Sequence, residues 1–279
     1  MISTLRCGAY TLIAIEDGWF HRQPHETFPT SDPAYWQAHP EHLDDGRLRI
    51  SMGCFLITNG EATAMIDTGY GEDVSTLPEG AGGNRLPQAM EELGVTPAMV
   101  SHVIYTHLHY DHCGGSRTKS GSPRFPNANH FLQRGELDHW MTVDGAAGER
   151  VRRLMNGFLE EERVEVLDGE REVLPGVRVI PTPGHTPGHQ AVSIISEGTR
   201  TLIAGDITHH PAQFEHPEWN VAADLDQEQA AATRGRFFEM VAGTGALMGA
   251  GHYPRPGLGK VEVDDGRRIF LPVALPRQG

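Results

Sequence analysis

Apolar residues fall along this chain in short runs separated by Gly, Pro, Asn and Asp. Runs of that kind, bounded by turn formers, predict strands rather than a helical bundle. The first strand is expected over residues 7–15. Residues 52–58 and 63–66 flank Asn59-Gly60, a strong hairpin signal, and the second run ends in Asp67-Thr68-Gly69. Short strands are expected over 100–105, 164–167, 177–181 and 246–249. Residues 190–196 and 200–204 flank Glu197-Gly198 and form a second hairpin that ends in Gly205-Asp206; a last hairpin turns at Asp265-Gly266. Helical spacing covers 85–93, stopped by Gly94, then 134–141, 148–161, and a segment capped by Asp226 that runs to Val241. Residues 20–49, rich in Pro, His and Asp, break the pattern and read as an irregular excursion suited to covering a pocket.

The pattern repeats. Residues 55–67 read strand, turn, strand, Asp, and residues 192–206 read the same. Each half then passes through a helix to a short strand that leads to His107 or His252. An internal duplication of this kind, packed sheet on sheet with helices outside, predicts the α/β class and a four-layer αββα sandwich. No linker composition interrupts it, so residues 1–279 are expected to form a single domain.

Composition narrows the partners. Lys and Arg number 23 against 37 Asp and Glu, a net charge of −14, which repels nucleic acid. No apolar run is long enough to span a bilayer, and residues 1–10 lack the pattern of a leader. Three scattered cysteines, Cys7, Cys54 and Cys113, form no disulfide framework. Together these predict a cytoplasmic protein with no membrane contact. Histidine is over-represented, at 16 residues, and points to a metal site.

Residues 106–115 read Thr-His-Leu-His-Tyr-Asp-His-Cys-Gly-Gly. His107 and His109, alternating at a strand end, would project the same way. After a turn, Asp111 and His112 would face a neighbouring point. The segment thus offers two imidazoles to one metal, and a carboxylate with an imidazole to another. Gly114-Gly115 would let backbone pack closely beneath. One segment cannot fill two coordination spheres. Further donors follow other strands: His185 in Thr-Pro-Gly-His-Thr-Pro-Gly-His, Asp206 in Ala-Gly-Asp, and His252 in Gly-His-Tyr.

This set resembles the metallo-β-lactamase-fold hydrolase superfamily over roughly residues 50–275. The resemblance implies one metal on His107, His109 and His185, a second on Asp111, His112 and His252, and Asp206 bridging them. Two divalent ions are implied, Zn²⁺ first, with Fe, Mn or Co accommodated by the same donors. Asp67 matches a motif that supports the site from behind, although by itself it also reads as a turn former. A carboxylate at position 206 sets the chain apart from zinc β-lactamases, which usually carry Cys or Ser there. The short C-terminal hairpin with Pro272 and Pro276 departs from the helical extension of glyoxalase II. Residues 205–214, Asp224-Leu225-Asp226, and 251–254 with Pro256-Gly257-Leu258-Gly259 look like the methyl parathion hydrolase and lactonase branch.

That branch implies a water shared by two metals, deprotonated near neutral pH and attacking a lactone or ester carbonyl, with organophosphate triesters as a second substrate class. Asp111 would relay a proton to the leaving group, so Asp111 and Asp206 are the catalytic candidates. The alternatives are a β-lactamase-type amide hydrolase and a mononuclear iron dioxygenase acting on persulfides. Small uncharged substrates suit the acidic chain, and a homodimer is compatible with it. His209, His210, Phe214 and Trp140 are expected to line the pocket, with Trp219 as a further wall candidate. Phe28, Tyr35 and Trp36 of the excursion are expected to add an apolar wall. His189 is expected to be structural.

Overall fold

A computed structural model describes residues 2–255 and 257–273. Pro256 and Pro276 lie outside them. Fourteen strands are present among the described residues. The first seven are β1 (Ile2–Cys7), β2 (Tyr10–Arg22), β3 (Leu48–Thr58), β4 (Thr63–Ile66), β5 (His102–Ile104), β6 (Asn129–Gln133) and β7 (Val164–Leu167). The rest are β8 (Arg171–Leu174), β9 (Val177–Pro181), β10 (Gln190–Ser196), β11 (Thr199–Ile203), β12 (Leu247–Gly249), β13 (Leu258–Asp264) and β14 (Arg267–Pro272). The helices are α1 (Pro24–Thr27), α2 (Pro33–Ala38), α3 (Leu86–Glu92), α4 (Tyr110–Cys113), α5 (Arg134–Thr142), α6 (Gly145–Glu160) and α7 (Gln227–Val241).

Each half of the chain builds one seven-stranded sheet, β1 to β7 in order and β14 to β8 in order. The duplication is visible in the pairing. In one sheet hairpin β3–β4 is antiparallel and β4 then pairs β5 in parallel. In the other, hairpin β10–β11 is followed by the parallel pair β11–β12.

Period-two alternation sorts the side chains into layers. On β3, Phe55 and Ile57 face the other sheet, while Cys54 and Leu56 face helices. On β10 and β11, Val192, Ile194 and Ile203 enter the space between the sheets, and Ala191 and Leu202 face the opposite way. The outer face of the first sheet is covered by α3, α5 and α6 through Met90, Leu137, Leu154 and Phe158. That of the second is covered by α7 through Phe237, Phe238 and Val241. The result is the expected αββα sandwich.

Three sequence expectations change. Residues 7–15 are two strands, because Gly8 adopts φ +62° and turns the chain so that Cys7 pairs with Tyr10. β6 and β8 have no counterpart in the reading. β6 carries polar Asn129, His130 and Gln133, which hide its strand signal; His130 is nonetheless fully buried, its Nδ1 2.7 Å from the Tyr105 hydroxyl. The excursion is more regular than expected. Pro33 starts α2, and Asp32 caps it by accepting the Ala34 N–H at 2.8 Å. Phe28 and Trp36 fold into a separate small core with Leu48, Ile50, Trp219 and Val221.

The contact between sheets can be tested at Ile194, which is fully buried there. Ile194→Ala should cost about 2–5 kcal/mol in denaturant unfolding of the metal-loaded protein. A loss below about 1 kcal/mol would mean that the two inner faces do not pack as described.

Candidate metal centre

The seven candidate donors gather at one edge of the sandwich, where β4, β5, β9, β11 and β12 end. His107 and His109 lie beyond β5, not on it, as the strand stops at Ile104. The reason is that side chains take the backbone donors of the segment that follows. Asp67 accepts the Thr106 N–H at 2.7 Å, and Glu136 accepts the Leu108 N–H at 2.8 Å. Asp111 and His112 sit on the single turn of α4. The Gly pair beneath it does allow the close approach expected. A Cβ on Gly115 would stand 1.9 Å from the Thr68 carbonyl oxygen, and one on Gly114 would stand 2.4 Å from that of Tyr70.

The ligand-capable atoms of His107, His109, His185 and Asp206 all lie within 4.8 Å of one another, as do those of Asp111, His112 and His252. His109 Nδ1 is 2.9 Å from the Nε2 atoms of both His107 and His185. Asp206 stands between the groups. Its Oδ2 is 3.2 Å from His185 Nε2, 3.6 Å from His107 Nε2 and 3.1 Å from His252 Nε2; its Oδ1 is 3.2 Å from His112 Nε2.

Acceptors behind the rings set which nitrogen faces inward. His112 Nδ1 donates to Asp67 at 2.8 Å, His185 Nδ1 to Asp224 at 2.8 Å, and His252 Nδ1 to the Ser51 carbonyl at 2.7 Å. Each neutral imidazole therefore turns an Nε2 lone pair toward Asp206, whose oxygens also carry lone pairs. Acceptors facing acceptors at these distances repel unless metal ions lie among them or the rings take up protons. Asp206 Oδ1 is buried and makes no hydrogen bond. The donor set, imidazole with carboxylate and backed by hydrogen-bond acceptors, fits divalent metals.

Asp67 holds its position in the left-handed region, φ +57°, which a short polar side chain tolerates. His189 is structural in the sense expected: its Nε2 accepts the Asp206 N–H at 2.9 Å. Sequence reasoning missed several supports. Asp224 orients His185 and is paired at 3.1 Å with Arg234, and both are buried. In the sequence it stands out only within the stretch Asp224-Leu225-Asp226, with no role attached. Glu136, fully buried, accepts from Leu108 N–H, Trp140 Nε1, the Thr186 hydroxyl and Gly188 N–H. It fastens the His107–His109 segment to the His185 loop, and nothing in its sequence surroundings marks it.

Burial opposes charge on every ring. His109, close to His185, is pushed down to about 3. For His185 the hydrogen bonds and charges of Asp206 and Asp224 outweigh burial and push it up to about 9. His112 is raised well above the usual imidazole range by Asp206, Asp67 and Asp111, and His252 is raised by Asp206 and Asp111, again against burial. Burial also opposes ionisation of Asp206, but His112, His252 and His209 hold its carboxyl well below the usual range.

The centre opens on a cavity of 320 Å³, walled by Phe20, Ile50, Tyr70, Leu77, Tyr110 and Val221, with Arg22 and Glu26 also lining it. His209 lines it as expected. It also joins the donors: its Nε2 is 3.1 Å from Asp206 Oδ2, and its ligand atom groups with those of Asp206 and His252. The other expected wall residues do not line the cavity. His210 turns toward Trp36 and His42, with its Nδ1 accepting the Ala212 N–H. Phe214 packs on Phe238 beneath α7. Trp140 lies behind His109, 5.5 Å between ring centroids, held by Glu136. Phe28, Trp36 and Trp219 are consumed by their own core, and Tyr35 packs against it.

The model of the metallo-beta-lactamase superfamily matches residues 54–252. An N-acyl homoserine lactonase of Bacillus cereus is 29% identical over 238 residues, 80% of this chain and 86% of that relative. AttM, an N-acyl homoserine lactonase of Rhizobium radiobacter, is 29% identical over 174 residues, 53% of this chain and 61% of the relative. Among solved structures, AidC, a dizinc quorum-quenching lactonase, superposes with a TM-score of 0.89 at 22% identity, covering 99% of this chain and 98% of its own. A probable metal-dependent hydrolase from Staphylococcus aureus gives 0.80 at 20% identity, with 98% and 99% covered. At these identities the structural likeness establishes the fold.

Two outcomes are expected at this site. Stripped of metal, the protein should hold protons on His112, His185 and His252 at neutral pH, because their pKa values are raised. Metal uptake at pH 7 should therefore release protons, and less from His185 once the pH exceeds about 9. Calorimetry in buffers of differing ionisation enthalpy measures this; heats independent of buffer would contradict it. Asp224→Asn should lower metal affinity by about 10–100-fold, read by chelator competition.

Proposed function

We propose that this chain, which belongs to the metallo-beta-lactamase superfamily, is a two-metal hydrolase of small neutral lactones and esters. The observation that carries this reading is the pair of donor groups joined by Asp206. His107, His109 and His185 would hold one divalent ion, and Asp111, His112 and His252 the other, with Asp206 shared. Zn²⁺ is the first candidate, given its preference for such donors. Bound there, the ions would supply Lewis acidity, activating water and polarising a carbonyl oxygen.

The chain's own groups do the rest. The ring backings at Asp67, Asp224 and Ser51 keep the donors oriented before substrate arrives. The walls at Phe20, Ile50, Tyr70, Leu77 and Val221 favour a substrate with an apolar part and exclude water from beside it. Asp111 is the more open of the two carboxylates, its side chain 21% exposed against 3% for Asp206. That exposure supports its role as the group that passes a proton to the departing oxygen. Asp206, buried and ionised, supports a purely electrostatic role.

N-acyl homoserine lactones are the first substrates to test, since they name the activity of the curated relatives. Phosphotriesters are the second class, because the same site can bind the oxygens of a pentacoordinate transition state. A one-metal dioxygenase is disfavoured by the second donor group.

On one purified batch of measured metal content, lactones and aryl esters should be hydrolysed faster than β-lactams. A strong chelator should abolish the activity and lower thermal stability. Turnover of β-lactams with kcat/KM about a hundredfold above every lactone and ester would overturn the substrate class. Full activity after verified metal removal would overturn the mechanism.

A further inference from the structure

A second cavity lies beside the first, across the segment 70–78. It is the larger of the two, at 710 Å³, and Arg117, Lys119, Arg150 and Arg153 line it. The chain carries a net charge of −14, yet four of its 23 cations meet here, among them Lys119, one of two lysines in the sequence.

Two of the four cations have a loosely placed acid, Arg117 with Glu161 at 3.6 Å and Arg150 with Asp73 at 3.5 Å, and the other two have none. Of the two acids on the wall, Glu72 is paired with Arg124 at 2.7 Å, and Asp73 holds the Ser75 hydroxyl while lying 3.5 Å from Arg150. Arg117 rests over the Phe158 ring, its guanidinium carbon 4.0 Å from the centroid, and donates to the Leu154 and Gly121 carbonyls. Its Nη2 is buried without a hydrogen bond, 3.6 Å from Glu161. Lys119 and Arg153 are exposed, and among the described residues neither side chain is ion-paired, although the Lys119 backbone N–H donates to Glu72 at 2.9 Å.

The two cavities share a wall. Tyr110 lines both, and the Arg150 guanidinium lies 3.6 Å from the centroid of its ring. Arg150 also donates at 2.7 Å to Thr76, which lines the catalytic cavity.

Hydrolysis of a lactone changes the charge of what the enzyme holds. The water oxygen bonds to the carbonyl carbon, the ring C–O bond breaks, and the departing oxygen takes a proton. The acid formed ionises at neutral pH and gives one proton to solvent. A neutral molecule enters a cavity lined by Arg22 and Glu26 beside the metal donors Asp111 and Asp206, and an anion must leave it.

We propose that the groove of Arg117, Lys119, Arg150 and Arg153 is a carboxylate-binding site that receives the product anion across the Tyr110 wall. The identity of the carboxylate rests on the lactone and ester reading above; the existence of the site does not. Guanidinium and ammonium groups on a partly apolar floor, with Val74 and Leu154 in the lining, suit a carboxylate bearing an aliphatic chain.

The test is calorimetric titration of the metal-loaded full chain with octanoate. Wild type should bind two octanoates per chain, one at the metal centre and one in the groove. Lys119→Ala/Arg153→Ala, two exposed positions outside the catalytic machinery, should lose the second site or weaken it at least about tenfold, with metal content and initial kcat/KM unchanged. Octanol should show no groove binding, and the hydroxy-carboxylate made from the best lactone should displace octanoate from the groove. Unchanged stoichiometry and affinity in the double variant, or equal binding of octanol, would overturn the site. Octanoate binding that the reaction product cannot displace would overturn its role as an exit for product. Loss of octanoate binding in a protein that hydrolyses no lactone would leave the groove standing and remove the catalytic reading.

Discussion

Electron pairs pointed at other electron pairs are the constraint around which this molecule is arranged. Folding brings the Nε2 atoms of His112, His185 and His252 within 3.2 Å of a carboxylate that cannot escape, because Asp206 is buried and its own N–H is held by His189. Positive charge relieves the repulsion, as metal ions among the donors or, without them, as protons on His112, His185 and His252. The hydrogen bonds behind the rings keep that repulsion in place by denying the imidazoles any other orientation.

The supports are distributed so that each half of the chain braces the other. Asp67 and Thr106 fix the donors of the first sheet, and Asp224 with Arg234 fixes His185 from α7. Between them, Glu136 reaches from α5 to the His185 loop, and the Ser51 carbonyl on β3 reaches His252 beyond β12. These cross-links explain why a site made of loops can be rigid. The loops are short, and buried polar groups claim their backbone donors and acceptors.

The donor residues were legible because metal chemistry restricts residue type and spacing so tightly that His107, His109, Asp111 and His112 stand out against any background. The duplicated hairpins were legible for a similar reason, since Asn59-Gly60 and Glu197-Gly198 each separate two alternating runs. The wall of the cavity was not legible. Aromatic residues near the site, such as Phe214 and Trp36, have several apolar neighbours to choose from, and the choice depends on packing between segments distant in sequence. Glu136 and Arg234 were invisible for another reason. A buried charge in a helix looks like any surface charge until the partners that satisfy it are known.

Four of the seven proposed donors come from the first sheet's half, and His185, Asp206 and His252 from the second. During synthesis the set stays incomplete until His252 is added, when nine-tenths of the 279 residues have been joined. A product truncated ahead of His185 lacks the shared carboxylate and two imidazoles. The full donor set therefore exists only where segments from both halves of the molecule have met.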